Sequence, residues 1–193
     1  CRSTLAAGRL KRSWTCGLRK MIENWDKSFA LIMQSEGGYV NDPTDRGGET
    51  NLGVTRAAWA DYMARPIADG EMKDLKPFMV KPFYKLRYWD RCKCDDLPNG
   101  LDYAVFDFAV NAGVGMSSKL LQRAVGVPDD GAIGAKTLEA VSKHDPKQIL
   151  DKFANAKTNF YEQIVARRPE QQRFMQGWKN RIAAVQHTAE GMV

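Results

Sequence analysis

Apolar positions recur three and four residues apart through most of the chain, the spacing of one face of an α-helix. The first such stretch puts Trp25, Phe29, Ile32 and Met33 on one face, and Glu36, eleven residues after Trp25, falls on that same face. Gly37-Gly38 is expected to stop this helix, as glycine does just past a helix C-terminus. From Tyr39 to Thr55 the periodicity gives way to NDPTDRGGETNLGVT, rich in Gly, Asn, Asp and Pro, which predicts turns or a short hairpin. Thr55 is placed to cap a helix running through Met63.

Residues 78–91 carry Phe83, Tyr84 and Tyr88 at helical spacing, with Pro82 suited to a first-turn position. A stronger helix is predicted from Leu101 to Ala112, where Leu101, Ala104, Val105, Phe108 and Ala109 form one stripe that ends in Asn111-Ala112-Gly113. Short helices around Leu120–Val125 and Thr137–Val141 flank VGVPDDGAIG. Two long amphipathic segments follow, one through Ile149, Phe153, Tyr161 and Ile164, the other through Phe174, Trp178, Ile182 and Val185. Trp59, Trp89 and Trp178 fall on these patterns and read as core. The expected fold is therefore mainly α, with a small turn or hairpin region near residues 38–55. The expected organisation is an extension over residues 1–20, a main region over 21–115 and a helical region over 116–193, packed into the same lobe or into a second one.

Composition adds limits. A chain of 193 residues, 44% hydrophobic and 27% charged, suits one sizeable domain or a main lobe with a small companion. No stretch approaches the roughly 18–20 apolar residues of a membrane-spanning helix. The net charge of +6 comes from the N-terminus: residues 1–20 hold Arg2, Arg9, Lys11, Arg12, Arg19 and Lys20 and no acid, and the other 23 basic residues match the 23 acidic ones. Nucleic acid, which needs a cationic surface, is not an expected partner. The basic tail lacks the apolar core of a signal peptide, so Met21 reads as the natural start and the protein as one made in the host cytoplasm. Of the cysteines, Cys1 and Cys16 lie in the tail, and Cys92-Lys93-Cys94 has the wrong spacing for zinc, with His144 and His187 far off in sequence. Neither a metal, nor a cofactor, nor a disulfide framework is expected.

Glu36 is the candidate for chemistry. It leaves an apolar helical face and is followed by two glycines that let a polymer approach. Shelter from water by Phe29, Ile32 and Tyr39 should raise its pKa, since desolvation disfavours the carboxylate. An acid so held can protonate a leaving oxygen, as glycosidic cleavage requires. The loop beyond offers Asp42, Asp45, Glu49, Thr50 and Asn51. Asp45, on polar ground, should stay ionised and support either an oxocarbenium-like centre or an attacking water.

The run SFALIMQSEGGYVNDPTDRGGETNLGVT, Ser28 to Thr55, closely resembles the N-terminal signature of glycoside hydrolase family 108, the phage-type N-acetylmuramidases. The matching elements are Glu36-Gly37-Gly38-Tyr39, Asn41-Asp42-Pro43, Gly47-Gly48 and Thr50-Asn51-Leu52-Gly53-Val54-Thr55, where Val54 replaces the usual Ile. Tyr88-Trp89-Asp90 and Phe106 to Gly113 look like the family's later blocks, and Leu121 to Leu138 resembles the peptidoglycan-binding-like region that often follows. The resemblance implies a lysozyme-like helical fold that cleaves the β-1,4 bond between N-acetylmuramic acid and N-acetylglucosamine, with Glu36 as the acid. Phage-type lysozymes more broadly carry an Asp nine residues after that Glu, which Asp45 fits, and a Thr beyond, for which Thr50 is the candidate and Asn51 its competitor.

Tyr39 suits either stacking on a sugar or core packing, and Asn111 either binding an acetamido group or capping its helix. The expected partner is the glycan strand of bacterial peptidoglycan, met in the periplasm by a monomer after release from the cytoplasm. A lytic transglycosylase using the same Glu36, and a non-catalytic wall-binding or secretion-assisting protein, are the alternatives.

Overall fold

In a computed structural model, residues 24–41 and 48–193 are described; the expectations for residues 1–20 and for Asp42 and Asp45 lie outside them. The chain is mainly α with one two-stranded sheet, as the periodicity predicts. No helix among the described residues is long and apolar enough to cross a membrane. Two compact units divide at Arg87/Tyr88.

In the first unit, helix α1 spans residues 24–35 and buries Trp25, Phe29 and Ile32. Strands β1 (Thr50–Asn51) and β2 (Val54–Thr55) pair antiparallel, and Val40 bridges to Thr50. Helix α2 (Arg56–Met63) starts at Thr55, whose hydroxyl accepts from the Ala58 amide at 3.2 Å, the cap read from the sequence. After α3 (Glu71–Asp74) comes α4 (Pro77–Tyr84), which packs against α1 through the Phe29–Tyr84 ring contact at 5.7 Å and the Lys81–Asp26 ion pair at 2.7 Å.

Pro82 is not in a first turn: Pro77 holds that place and Pro82 lies inside α4. The reason is local. Lys76, as the residue before a proline, is held extended (φ −117°, ψ 154°), so the helix begins at Pro77. The chain then runs on into a π-helical turn, Lys85–Trp89.

The second unit is built on α5 (Leu101–Ala112), buried on every side from Leu101 to Ala109. Around it lie α6 (Val114–Ala124), α7 (Ala135–Ser142), α8 (Pro146–Arg167) and α9 (Met175–Glu190). Helix α6 starts two turns earlier than its apolar spacing indicates. Gly113 (φ 87°) breaks the chain after α5, and the added turns bury small polar side chains: the Ser117 hydroxyl donates to the Val105 carbonyl at 2.7 Å. Trp59 and Trp89 are core, but Trp178 is only half-buried, stacked on Tyr161 at 4.5 Å because Phe174 beside it stays exposed and covers little. The Cys92 and Cys94 thiols are buried and unpaired, and burial pushes the Cys94 thiol well up. Gly100 (φ 81°) begins α5 at a close crossing, where a Cβ would lie 2.2 Å from the Ala189 carbonyl oxygen and 3.2 Å from Val193.

One cation is buried in this unit. Lys157 is 2% exposed, its ammonium 5.0 Å from the centre of the Phe153 ring. Burial draws its pKa down to about 8, with Asp107 opposing that shift and Arg181, which grips Asp107 at 2.7 Å, adding to it. The folded value lies below the ordinary one, so between the two the unfolded chain binds a proton that the folded chain has shed. Stability therefore rises with pH from about 8 to about 10.5, and below that window the full cost, about 3 kcal/mol, is present. Lys157→Met is expected to raise the unfolding free energy at pH 7 by ~2 kcal/mol and to flatten that rise, read from urea melts across the window. A variant with wild-type pH dependence would show that the ammonium is hydrated in solution.

Candidate active site

Glu36 is the first residue past α1, its amide still bonded to the Ile32 carbonyl at 3.0 Å. Its side chain thus leaves from the end of the buried face. Neither Gly37 nor Gly38 takes the left-handed conformation of a glycine cap; the chain instead runs out extended to the Val40–Thr50 bridge, whose two N–H···O bonds are both 2.8 Å. A Cβ on either glycine would meet no atom of the described residues within 4 Å.

The β1–β2 hairpin supplies the other wall. Its two turn residues, Leu52 (φ 50°) and Gly53 (φ 72°), both have positive φ, the pattern of a tight type I′ turn. Leucine rarely adopts this conformation. Here its carbonyl accepts from the hydroxyl of Tyr84 at 2.8 Å, and the Tyr84 ring is 1% exposed. Gly53 has a second reason to be glycine. A Cβ there would stand 2.4 Å from Glu36 Oε2, 2.9 Å from its Cδ and 2.5 Å from the Tyr84 hydroxyl. The carboxyl of Glu36 and the phenol of Tyr84 therefore both stand close over the bare Cα of Gly53.

The remaining candidates divide by placement. Thr50 lies half-buried on β1, its backbone paired on both sides, with Val40 and Thr55. Asn51 is 5% exposed, and its amide donates to the Met72 carbonyl at 2.6 Å, tying the hairpin to α3. Tyr39 is half-buried rather than in the core. Its hydroxyl donates to Glu49 at 2.7 Å, and the Lys73 ammonium stands 5.3 Å from its ring centre. Glu49 also pairs with Arg56, which reaches the Ile67 carbonyl and Asp69. The Tyr39 hydroxyl first, then Arg56, holds the Glu49 carboxyl below the usual range, so it is an anion that braces the loop. Asn111 belongs to the second unit, where its amide donates to the Asp107 carbonyl at 2.7 Å; the cap of α5 is Gly113, not Asn111, because the turn requires positive φ.

Among the described residues, Tyr84 and Gly53 stand near Glu36 and were not singled out for chemistry in the sequence. Gly53 stood in plain view in the Asn-Leu-Gly turn. Tyr84 is 48 residues from Glu36 and looks like any core aromatic on its helix.

No group of three His, Cys, Asp or Glu able to hold a metal ion occurs among the described residues. A hollow of about 330 Å³ in the second unit is lined by Asp90, Lys93, Cys94, Asp95 and Asp96, but Asp95 there serves the Trp89 indole at 2.7 Å. The Asp130–Gly134 loop is wound around one buried amide. Gln122 donates to Asp130 at 2.7 Å, the Ala132 carbonyl at 3.1 Å and the Thr137 hydroxyl at 3.2 Å, and it accepts from the Gly131 amide at 2.9 Å.

The family model described as Glycosyl hydrolase 108 matches residues 29–113, and one described as "Predicted Peptidoglycan domain" matches residues 116–183. Among solved structures, that of Brucella abortus SagA is similar, with a TM-score of 0.76 and 34% sequence identity over 87% of this chain and 94% of that one. No curated protein sequence matches.

Proposed function

The chain belongs to the Glycosyl hydrolase 108 family, and on that premise we propose that it is an N-acetylmuramidase whose general acid is Glu36. It is a glycoside hydrolase with a peptidoglycan-binding region, acting on the cell wall. One observation carries the finer reading. Glu36 is the carboxyl that follows a buried helical face, with its Oε2 set, like the buried Tyr84 hydroxyl, against the bare side of Gly53.

In the proposed reaction, the glycosidic C1–O bond of N-acetylmuramic acid breaks as Glu36 gives its proton to the leaving oxygen of N-acetylglucosamine. Water adds to C1, and its surplus proton leaves through a carboxylate. Asp45, together with Thr50 on β1, is proposed to orient that water or to support the positive charge at C1. Tyr39, which presents a half-buried ring, is proposed to contact a sugar.

The test is the product. Digested peptidoglycan, reduced and analysed by mass spectrometry, is expected to carry new reducing ends on N-acetylmuramic acid. Ends on N-acetylglucosamine would overturn the bond assignment. Anhydro-muramyl ends, lighter by one water, would identify a lytic transglycosylase instead.

A further inference from the structure

We propose that Tyr84 is a positioning residue for the acid, one that favours the protonated form of Glu36; this rests on the assignment of Glu36 as general acid. Tyr84 is buried and its ring is fixed by edge contacts to Phe29 at 5.7 Å and Phe83 at 5.8 Å. Its single hydroxyl proton is directed at the Leu52 carbonyl, 2.8 Å away. A phenol has one proton to donate but two lone pairs. With the proton committed to Leu52, the oxygen turns lone pairs toward its other neighbours. Glu36 Oε2 stands on the same side of the hairpin turn: both oxygens lie within 2.5 Å of the point that a Cβ on Gly53 would occupy.

The consequence follows from charge. A protonated carboxyl facing lone pairs can donate to them, whereas a carboxylate facing the same lone pairs gains nothing and is repelled. A hydrogen bond to the neutral form of an acid disfavours its ionisation. Among the described residues of the adjoining loop and hairpin, Tyr39, Glu49 and Arg56 are matched to one another. The Tyr84–Leu52 bond thus has two effects: it holds a leucine in a conformation that leucine resists, and it sets the polarity of the phenol seen by Glu36.

Tyr84→Phe removes the oxygen and keeps the ring. On soluble glycan strands its kcat is expected to fall by about tenfold or more, with KM little changed. The alkaline limb of kcat against pH, where the acid loses its proton, should move to lower pH. A tyrosine that only packs the core would lower the melting temperature and leave that limb in place, and this result would overturn the proposal. Glu36→Gln, measured alongside, separates the two claims. If Glu36→Gln retains wild-type turnover, the assignment of the acid falls. If it is inactive while Tyr84→Phe keeps the wild-type limb and kcat, Tyr84 alone is excluded. Should Tyr84→Phe not fold, 3-fluorotyrosine placed at position 84 keeps the hydroxyl and weakens the oxygen as an acceptor. It should then displace the limb less, but in the same direction; an unmoved limb counts against the proposal.

Discussion

Glu36→Gln is expected to slow peptidoglycan lysis by about 10²–10⁴-fold, the range that a positioned general acid contributes. The amide matches the carboxylic acid in size and polarity but has no proton acidic enough to give to a sugar oxygen. Glu36 is only partly buried and lies just past the end of α1, so the exchange should leave the unfolding midpoint near that of the wild type. Retention on insoluble cell wall should also persist, since the region matched as a peptidoglycan domain lies at residues 116–183. Turbidity loss, wall sedimentation and thermal melts on the same preparations check all three. Equal lysis by both proteins would remove Glu36 from the chemistry; a collapsed melting curve would mean that the carboxyl has a structural role as well.

Gly53→Ala should be nearly as damaging, through position rather than proton supply. The methyl would occupy a point 2.4 Å from Glu36 Oε2 and 2.5 Å from the Tyr84 hydroxyl, so at least one of the two must move. Displacements on the order of 1 Å in a reacting group cost about 10²-fold in rate, and a loss of that size is expected here. The positive φ of 72° adds ~1–2 kcal/mol of backbone strain for any residue with a Cβ. Gly177→Ala makes the control. That glycine lies inside α9, without positive φ and with nothing within 4 Å of a Cβ, and the substitution should stabilise by ~0.5–1 kcal/mol. Wild-type lysis by Gly53→Ala would mean that the turn is not held against Glu36 in solution.

Much of this arrangement was legible in the sequence because it depends on local rules. The face of Trp25, Phe29 and Ile32, the Thr55 cap and the bounds of α5 all follow from spacing and capping chemistry within a few residues. The misplaced elements share a different cause. Pro82 satisfies the rule for a helix start, but Pro77, five residues earlier, satisfies it too, and only the extended Lys76 decides between them. The first turns of α6 bury Ser117 where the apolar stripe should be, since its hydroxyl is satisfied by the Val105 carbonyl on another helix. The site divides in the same way. Glu36 is marked by its helix end and its glycines. Tyr84 is marked by nothing, because its role arises from a contact between α4 and a hairpin turn over 30 residues away in sequence. Asn51 stood as the competitor to Thr50 because a sequence does not show that the Met72 carbonyl lies in reach of its amide.

The close crossing at Gly100 bears on how the protein is made. Helix α5 is the centre of the second unit, yet the residue that begins it is seated against the Ala189 carbonyl, near the far end of α9. During synthesis the ribosome delivers α5 long before position 189, so its apolar surface, hidden on every side in the finished fold, waits in the cell for the partner that closes it. The interval while α6, α7 and α8 are translated is when the nascent chain most needs a chaperone. A stall or premature stop before Met175 would release a polypeptide whose central helix lacks α9, a natural substrate for proteases.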